Sequence, residues 1–295
     1  MDFKIDAPRG FDFKRTLGSH GWSELAPCEW VNEGELRRVL DLGEREPVTL
    51  TITGDRGGVN VSASRRLNKR EAAQVLRDVR HMFRLDDDMT EFYGALAAEP
   101  DFAWVERDGA GRLLRSPTVY EDLVKSIMTT NCSWSLTRKM VTGLVHGLGR
   151  ESKGGGRTFP TAGVMAAQPL DFYRDVVRAG YRAPYLLELA GRVAASELDV
   201  EGWAASELPT ADLKREMKRV KGVGDYAAEN LLKLVGRYDV LALDSWVRAK
   251  FAKVRNKGRA CDDKKIARFY SRYGHWRGLA LWCDMTRDWF EGSRQ

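Results

Sequence analysis

Residues 213–248 read LKREMKRVKGVGDYAAENLLKLVGRYDVLALDSWVR, and the rest of the chain is organised around them. Leu213, Met217 and Val220 recur at helical spacing. They stop at Lys221-Gly222-Val223-Gly224, where two glycines one residue apart permit backbone angles that a side chain forbids. A second helix follows at once, with Ala227, Ala228, Leu231, Leu232 and Val235 on its apolar side and Gly236 near its end. Backbone amides at such a turn, and at the start of the second helix, point outward without partners and form a concavity suited to one phosphate. Lys214, Arg215, Lys218, Arg219 and Lys221 surround it with charge of the right sign. Beyond the second helix a short apolar run, residues 240–243, leads to Asp244-Ser245-Trp246-Val247-Arg248. An aspartate at such a junction is most often only an N-cap.

In this order and spacing, Lys221-Gly222-Val223-Gly224-Asp225 and Leu243-Asp244-Ser245-Trp246-Val247 resemble the helix-hairpin-helix DNA glycosylases of the base-excision superfamily. The resemblance implies that Lys221, Gly222, Val223 and Gly224 hold DNA and that Asp244 acts at the sugar. It implies an α+β, mostly α fold: a small amino-terminal antiparallel sheet domain over residues 1–85, then an all-helical glycosylase body over residues 86–295, with the helix-hairpin-helix at 212–236. The partner it implies is double-stranded DNA containing a damaged base, met by a monomer.

Composition agrees with a soluble chain: of 295 residues, 43% are hydrophobic and 31% charged. No segment approaches the ~20 consecutive apolar residues that cross a bilayer, and the amino-terminal residues lack the apolar core of a signal peptide. A cytoplasmic location is expected, nucleoid-associated in a prokaryote. Cys28, Cys132, Cys261 and Cys283 are scattered, with no CxxC pair, which argues against a zinc finger. Some relatives in the superfamily carry a four-cysteine iron–sulfur cluster after the catalytic aspartate; only Cys261 and Cys283 follow Asp244, so no such cluster is expected. No metal or cofactor is anticipated beyond a monovalent cation at the hairpin. Charge is uneven: residues 206–295 hold 20 Lys and Arg against 12 Asp and Glu, whereas the preceding residues hold 28 against 30. The basic excess sits in the third that carries the hairpin, as a polyanionic partner requires.

Other stretches fill in the organisation. Val48-Thr49-Leu50-Thr51-Ile52-Thr53, a glycine-bearing turn and Val59-Asn60-Val61-Ser62 read as a β-hairpin. Two strands alone are marginal, so more of residues 11–64 must pair with them. A helix is expected from about residue 68 to 83, and the aspartates at 86–88 read as a solvated capping loop. Ser116-Pro117-Thr118 starts a helix that runs into Met128-Thr129-Thr130-Asn131-Cys132-Ser133, a polar turn between two apolar helices. That turn resembles the family's element that enters the duplex, which implies that Asn131 meets the orphaned partner base. Residues 152–157, SKGGGR, read as a mobile loop. Gly180-Tyr181-Arg182-Ala183-Pro184-Tyr185 resembles the 8-oxoguanine branch, which implies a helix lining the DNA groove and a DNA contact from Arg182. Residues 266–290 are rich in aromatics; most must be core, and one or two, Trp282 foremost, line a base pocket.

Bifunctional members of the superfamily use a lysine just after the hairpin as a Schiff-base nucleophile. That position falls at Tyr226, as in alkyl-purine glycosylases where an aromatic faces the lesion, and an aromatic cannot form the adduct. Lys233, two turns further on, reads as too distant from the same sugar. The expected activity is therefore a monofunctional DNA glycosylase for alkylated purines such as 3-methyladenine. The alternatives are an 8-oxoguanine-type glycosylase, suggested by Asn131 and the GYRAPY stretch, or a catalytically silent DNA-binding protein.

Overall fold

The structure is a computed structural model that describes residues 1–290. Five strands, β1 (Asp2–Asp6), β2 (Cys28–Asn32), β3 (Glu35–Leu40), β4 (Val48–Gly54) and β5 (Gly58–Ala63), form one antiparallel sheet in the order β1-β5-β4-β3-β2. The register pairs Ile52 with Val61 and Leu36 with Ile52, which keeps the apolar members of β3, β4 and β5 on one face. Val48, Leu50, Ile52, Val59 and Val61 are buried. The hairpin expected at β4–β5 is present. Further strands are expected only within residues 11–64; β1 lies outside them and pairs with β5 from Asp2 to Asp6.

Thirteen α-helices accompany the sheet: α1 (Phe13–Leu17), α2 (Lys69–Met82), α3 (Thr90–Leu96), α4 (Ala103–Arg107), α5 (Val119–Thr129), α6 (Trp134–Leu148), α7 (Ala162–Ala166), α8 (Ala183–Ala194), α9 (Thr210–Met217), α10 (Asp225–Leu234), α11 (Ser245–Arg255), α12 (Asp263–Tyr270) and α13 (Arg277–Thr286), all among the described residues. The fold is thus α+β and mostly α. Sheet and helices share one continuous hydrophobic cluster. The caps follow the sequence: Asn68 and Glu71 form a capping box on α2, and Thr118 accepts from the Glu121 amide to start α5. The aspartates at 86–88 divide their work: Asp86 pairs with Arg80, Asp87 with Arg84 and Arg115, and Asp88 caps Thr90.

Residues 152–157 are not the mobile loop that their glycines suggest. Ser152 is buried, Thr49 donates to Gly155 O at 2.6 Å and shares a hydrogen bond with Ser152 Oγ at 2.8 Å, and Glu151 and Arg157 form a β-bridge. The glycines let this backbone lie flat on the sheet; a Cβ at Gly154 would stand 2.5 Å from Ser64 Cβ.

A buried ionic network joins the sheet to the helices. Arg38 on β3 meets Glu121 on α5 at 2.5 Å, and Lys125 meets the other oxygen of Glu121 at 2.6 Å. Burial alone would raise the Glu121 carboxyl, but Arg38 and Lys125 outweigh it and hold the pKa below its ordinary value. The contribution of this carboxylate is therefore present at neutral pH and is lost as the pH falls through its depressed pKa. Glu121→Gln leaves two buried cations without their anion and should cost about 3–5 kcal/mol in urea denaturation. A loss under about 1 kcal/mol would show that the network does not hold sheet and helices together.

Candidate active site

The hairpin is built by one residue in the left-handed region. Gly222 has φ +88°, and a Cβ there would meet Tyr185 Cδ2 at 2.9 Å. Val223 is buried, and its amide donates to Val220 O at 3.1 Å, so its side chain anchors the turn and is not available to DNA. Gly224 is the N-cap residue of α10 with extended backbone, φ −86° and ψ −173°, and a Cβ on it would point into open space. Among the described residues, no backbone acceptor meets the amides of Gly222 and Gly224. The basic residues around the turn are paired with acids: Lys221 with Glu188 at 2.6 Å, Lys218 with Asp225 at 3.0 Å, and Lys214 with both Asp225 and Glu229. The Lys221 and Lys218 pairs are exposed and cheap to exchange for another anion, whereas Lys214 is half-covered and braces α9 against α10.

Beside the hairpin opens a cavity of about 740 Å³. Tyr226, Asn230, Lys233 and Leu234 line it from a single face of α10, at the i, i+4, i+7 and i+8 positions. Asp244 lines it from the start of α11, and Trp22, Trp30, Trp134, Trp246, Trp282 and Trp289 supply aromatic wall. Three of these tryptophans pack on one another: Trp246 lies 6.0 Å from Trp282 and 5.7 Å from Trp289. Trp282 is fixed by a hydrogen bond from its Nε1 to Ser19 O at 2.9 Å.

Asp244 is both a cap and a wall residue. Its Oδ1 accepts from the Val247 amide at 2.7 Å, while no donor among the described residues meets Oδ2. The loop before it is strained into place: Ala242 has φ +53°, and its amide donates to Glu229 Oε2 at 2.7 Å. Glu229 on α10 thereby sets the distance between the hairpin helix and the aspartate. Tyr226 is half-buried; burial first, then the Asp244 charge, pushes its phenol up to about 12, so it is a neutral donor at physiological pH.

Two of the expected site residues, Asn131 and Arg182, do not line the cavity. Asn131, φ +48°, is exposed at the tip of the α5–α6 turn, and its Nδ2 donates to Tyr181 Oη at 3.3 Å. Arg182 departs from its expected DNA contact. It is 4% exposed, donates to Thr130 Oγ1 at 3.2 Å and to Thr130 O, and so supports the Asn131 turn from behind. Sequence reasoning also missed two wall groups. The segment that includes Gly18, His20, Gly21 and Trp22 closes the cavity from the amino-terminal unit, and Lys233 lies in the cavity although spacing along the chain had set it aside. His20 donates to Leu114 O at 2.7 Å; burial is the main cause that drags its pKa down to about 3, so the ring is neutral. Among the described residues no group of three or more His, Cys, Asp or Glu side chains could hold a metal ion, and no helix is long and apolar enough to cross a membrane.

The comparisons with known proteins fit this geometry. No family model matches the chain. It is similar to a DNA-3-methyladenine glycosylase of Bacillus subtilis (strain 168), 21% identical over 237 residues that cover 77% of each chain. It is also similar to a protein of Methanothermobacter thermautotrophicus named "Probable N-glycosylase/DNA lyase", 25% identical over 289 residues, 90% of this chain and 89% of the relative. Among solved structures, the 8-oxoguanine glycosylase/lyase of Clostridium acetobutylicum, in complex with DNA containing cytosine opposite 8-oxoG, superposes with a TM-score of 0.74 at 20% identity and covers 98% of both chains. The chain has the fold of the helix-hairpin-helix DNA glycosylases. Its relatives and structural neighbours come from both the 3-methyladenine and the 8-oxoguanine branches, between which its motifs lie.

The two hairpin glycines carry different constraints, which stability measurements separate. Gly222→Ala should cost roughly 1–2 kcal/mol, because an L side chain at positive φ is strained and Tyr185 blocks it. Gly224→Ala should stay within about 0.5 kcal/mol of the parent. Equal losses in thermal melts would contradict the assignment of φ strain to Gly222 alone.

Proposed function

We propose that this protein is a monofunctional DNA glycosylase that extrudes a damaged base from double-stranded DNA and hydrolyses its N-glycosidic bond. The observation that carries the reading is the convergence on one cavity of a free carboxylate oxygen on Asp244, an aromatic wall, and a helix whose amino-terminal turn offers unpaired amides. The hairpin holds one backbone phosphate, with Lys221 exchanging Glu188 for it, and a monovalent cation can share that site. Asn131 fills the space the extruded nucleotide leaves. Flipping costs roughly a few kcal/mol, less for a damaged or mispaired base, and stacking on tryptophan faces offsets it.

In the chemical step the C1′–N bond breaks and its electron pair leaves with the base, so positive charge develops at the sugar. Asp244 stabilises that charge and orients the attacking water. The new C1′–O bond forms from the water, whose proton passes to the departing base where that base leaves as an anion, and to Asp244 and then solvent where it leaves neutral. Tyr226 occupies the place of the Schiff-base lysine, and its neutral phenol cannot form the adduct, so the product is an abasic site in an unbroken strand. For the base itself, the tryptophan-rich wall and Tyr226 offer faces on which an alkylated purine such as 3-methyladenine stacks. A second reading, an 8-oxoguanine-type lesion, is favoured by the polar groups on the cavity wall.

Asp244→Asn should bind duplex DNA as the parent does while base release under single-turnover conditions falls by about two orders of magnitude or more, because only the transition state carries the cationic sugar. Unchanged release would remove Asp244 from the chemistry and favour the bare N-cap role, whose loss costs ~1 kcal/mol of stability. Borohydride added during turnover should trap no covalent protein–DNA adduct, and strand breakage should require alkali. A trapped adduct would place the protein on the bifunctional side.

A further inference from the structure

Two lysines are buried in this molecule, and their surroundings differ. Lys125 meets Glu121 at 2.6 Å and Ser116 at 3.3 Å, as a buried ammonium ordinarily does. Lys233 is 3% exposed, yet among the described residues no carboxylate or hydrogen-bond acceptor reaches its Nζ. Instead the ammonium stands 4.9 Å from the centre of the Trp282 ring, and Lys233 lines the cavity. Its main chain is pinned, because Arg84 donates to Lys233 O at 2.8 Å and to Leu234 O at 2.6 Å. Trp282 retains the cation through its π face. Burial is the first cause that pulls the lysine down, Glu229 and Asp244 oppose it, and the resulting value of about 8 leaves it protonated at neutral pH. Ser126, another residue of the cavity wall, has a buried Oγ with no hydrogen-bond partner.

Asp244 acts through its charge on both Tyr226 and Lys233, and Tyr226 stands at the hairpin end of α10. Lys233 follows Tyr226 by two helical turns, about 10 Å along the axis. A sugar at Asp244 leaves Lys233 on the same cavity wall, where a base extruded into the cavity can meet it.

We propose that Lys233 is the base-reading residue of this cavity: its ammonium donates to a carbonyl or ring-nitrogen acceptor on a neutral damaged base and turns away purines that carry a formal positive charge. The proposal rests on the glycosylase reading above and decides between its two substrate classes, against cationic alkyl purines. An unpaired buried cation is costly, and an acceptor on the base relieves that cost when it arrives. The same charge stabilises the electron pair that a neutral base takes with it as the glycosidic bond breaks. An alkylated cationic purine becomes neutral on leaving and needs no such help, and its entry brings two like charges together.

The test uses the full chain and duplexes that each carry one 8-oxoguanine, hypoxanthine, uracil or 7-methylguanine, with single-turnover release measured for the parent and for Lys233→Met, which keeps an apolar stem against Trp282. The parent should release at least one neutral base faster than 7-methylguanine. In Lys233→Met that release should fall roughly 10- to 100-fold, the loss of one charge-assisted hydrogen bond, while 7-methylguanine release holds or rises. A parent that prefers 7-methylguanine overturns the proposal whether or not the variant folds, and so does an equal fall for all bases in a variant that folds. Absence of release from every duplex, and of 3-methyladenine from methylated DNA, would instead refute the glycosylase reading itself.

Discussion

Arg84 fixes the end of α10, and α10 carries most of what the cavity presents. The guanidinium is 1% exposed and donates to Leu113 O, Lys233 O and Leu234 O while pairing with Asp87. The carbonyls of Lys233 and Leu234 belong to the last turn of the helix, where intrahelical partners run out, and a buried cation at that end also answers the helix dipole. At the other end, Gly222 in the left-handed region turns the chain so that α10 begins beside α5 and α8. A helix held at both ends cannot slide or rotate. Tyr226, Asn230 and Lys233 therefore keep fixed heights in the cavity, and Glu229 transmits that placement to the loop that ends in Asp244.

The site is assembled at some cost to the fold. Ala242 and Asn131 both hold positive φ without being glycine, and an ammonium lies buried without an anion. Each feature opposes folding by roughly 1 kcal/mol or more. The stability that tolerates them comes from the continuous core and from ionic contacts elsewhere, above all Arg38–Glu121–Lys125 between sheet and helices. The amino-terminal sheet thereby does more than cover the helices: the chain between β1 and β2 brings His20 and Trp22 into the cavity wall.

Much of this was legible in the sequence where local rules decide. The glycine spacing at Gly222 and Gly224 dictates the turn, helical periodicity gives the apolar face of α10, and the apolar run before Asp244 marks a helix start. What could not be read was set by tertiary contact. Arg182 looks like a surface cation until Thr130 is seen to accept its hydrogen bonds. Residues 152–157 look mobile until Thr49 on the sheet claims them. Strand β1 was missed because it pairs with a segment more than fifty residues away. Lys233 was the avoidable omission: its spacing from Tyr226 is seven residues, which puts both on one helix face. Distance along the helix separates it from the sugar but not from a base lying along that face.

The most direct test of this account is a crystal structure of Asp244→Asn bound to a duplex with one lesion. The account predicts an extruded nucleotide with C1′ beside residue 244, its base within hydrogen-bond distance of Lys233, and a backbone phosphate on the amides of Gly222 and Gly224. A duplex seated on another face, or an extruded base directed away from α10, would contradict it.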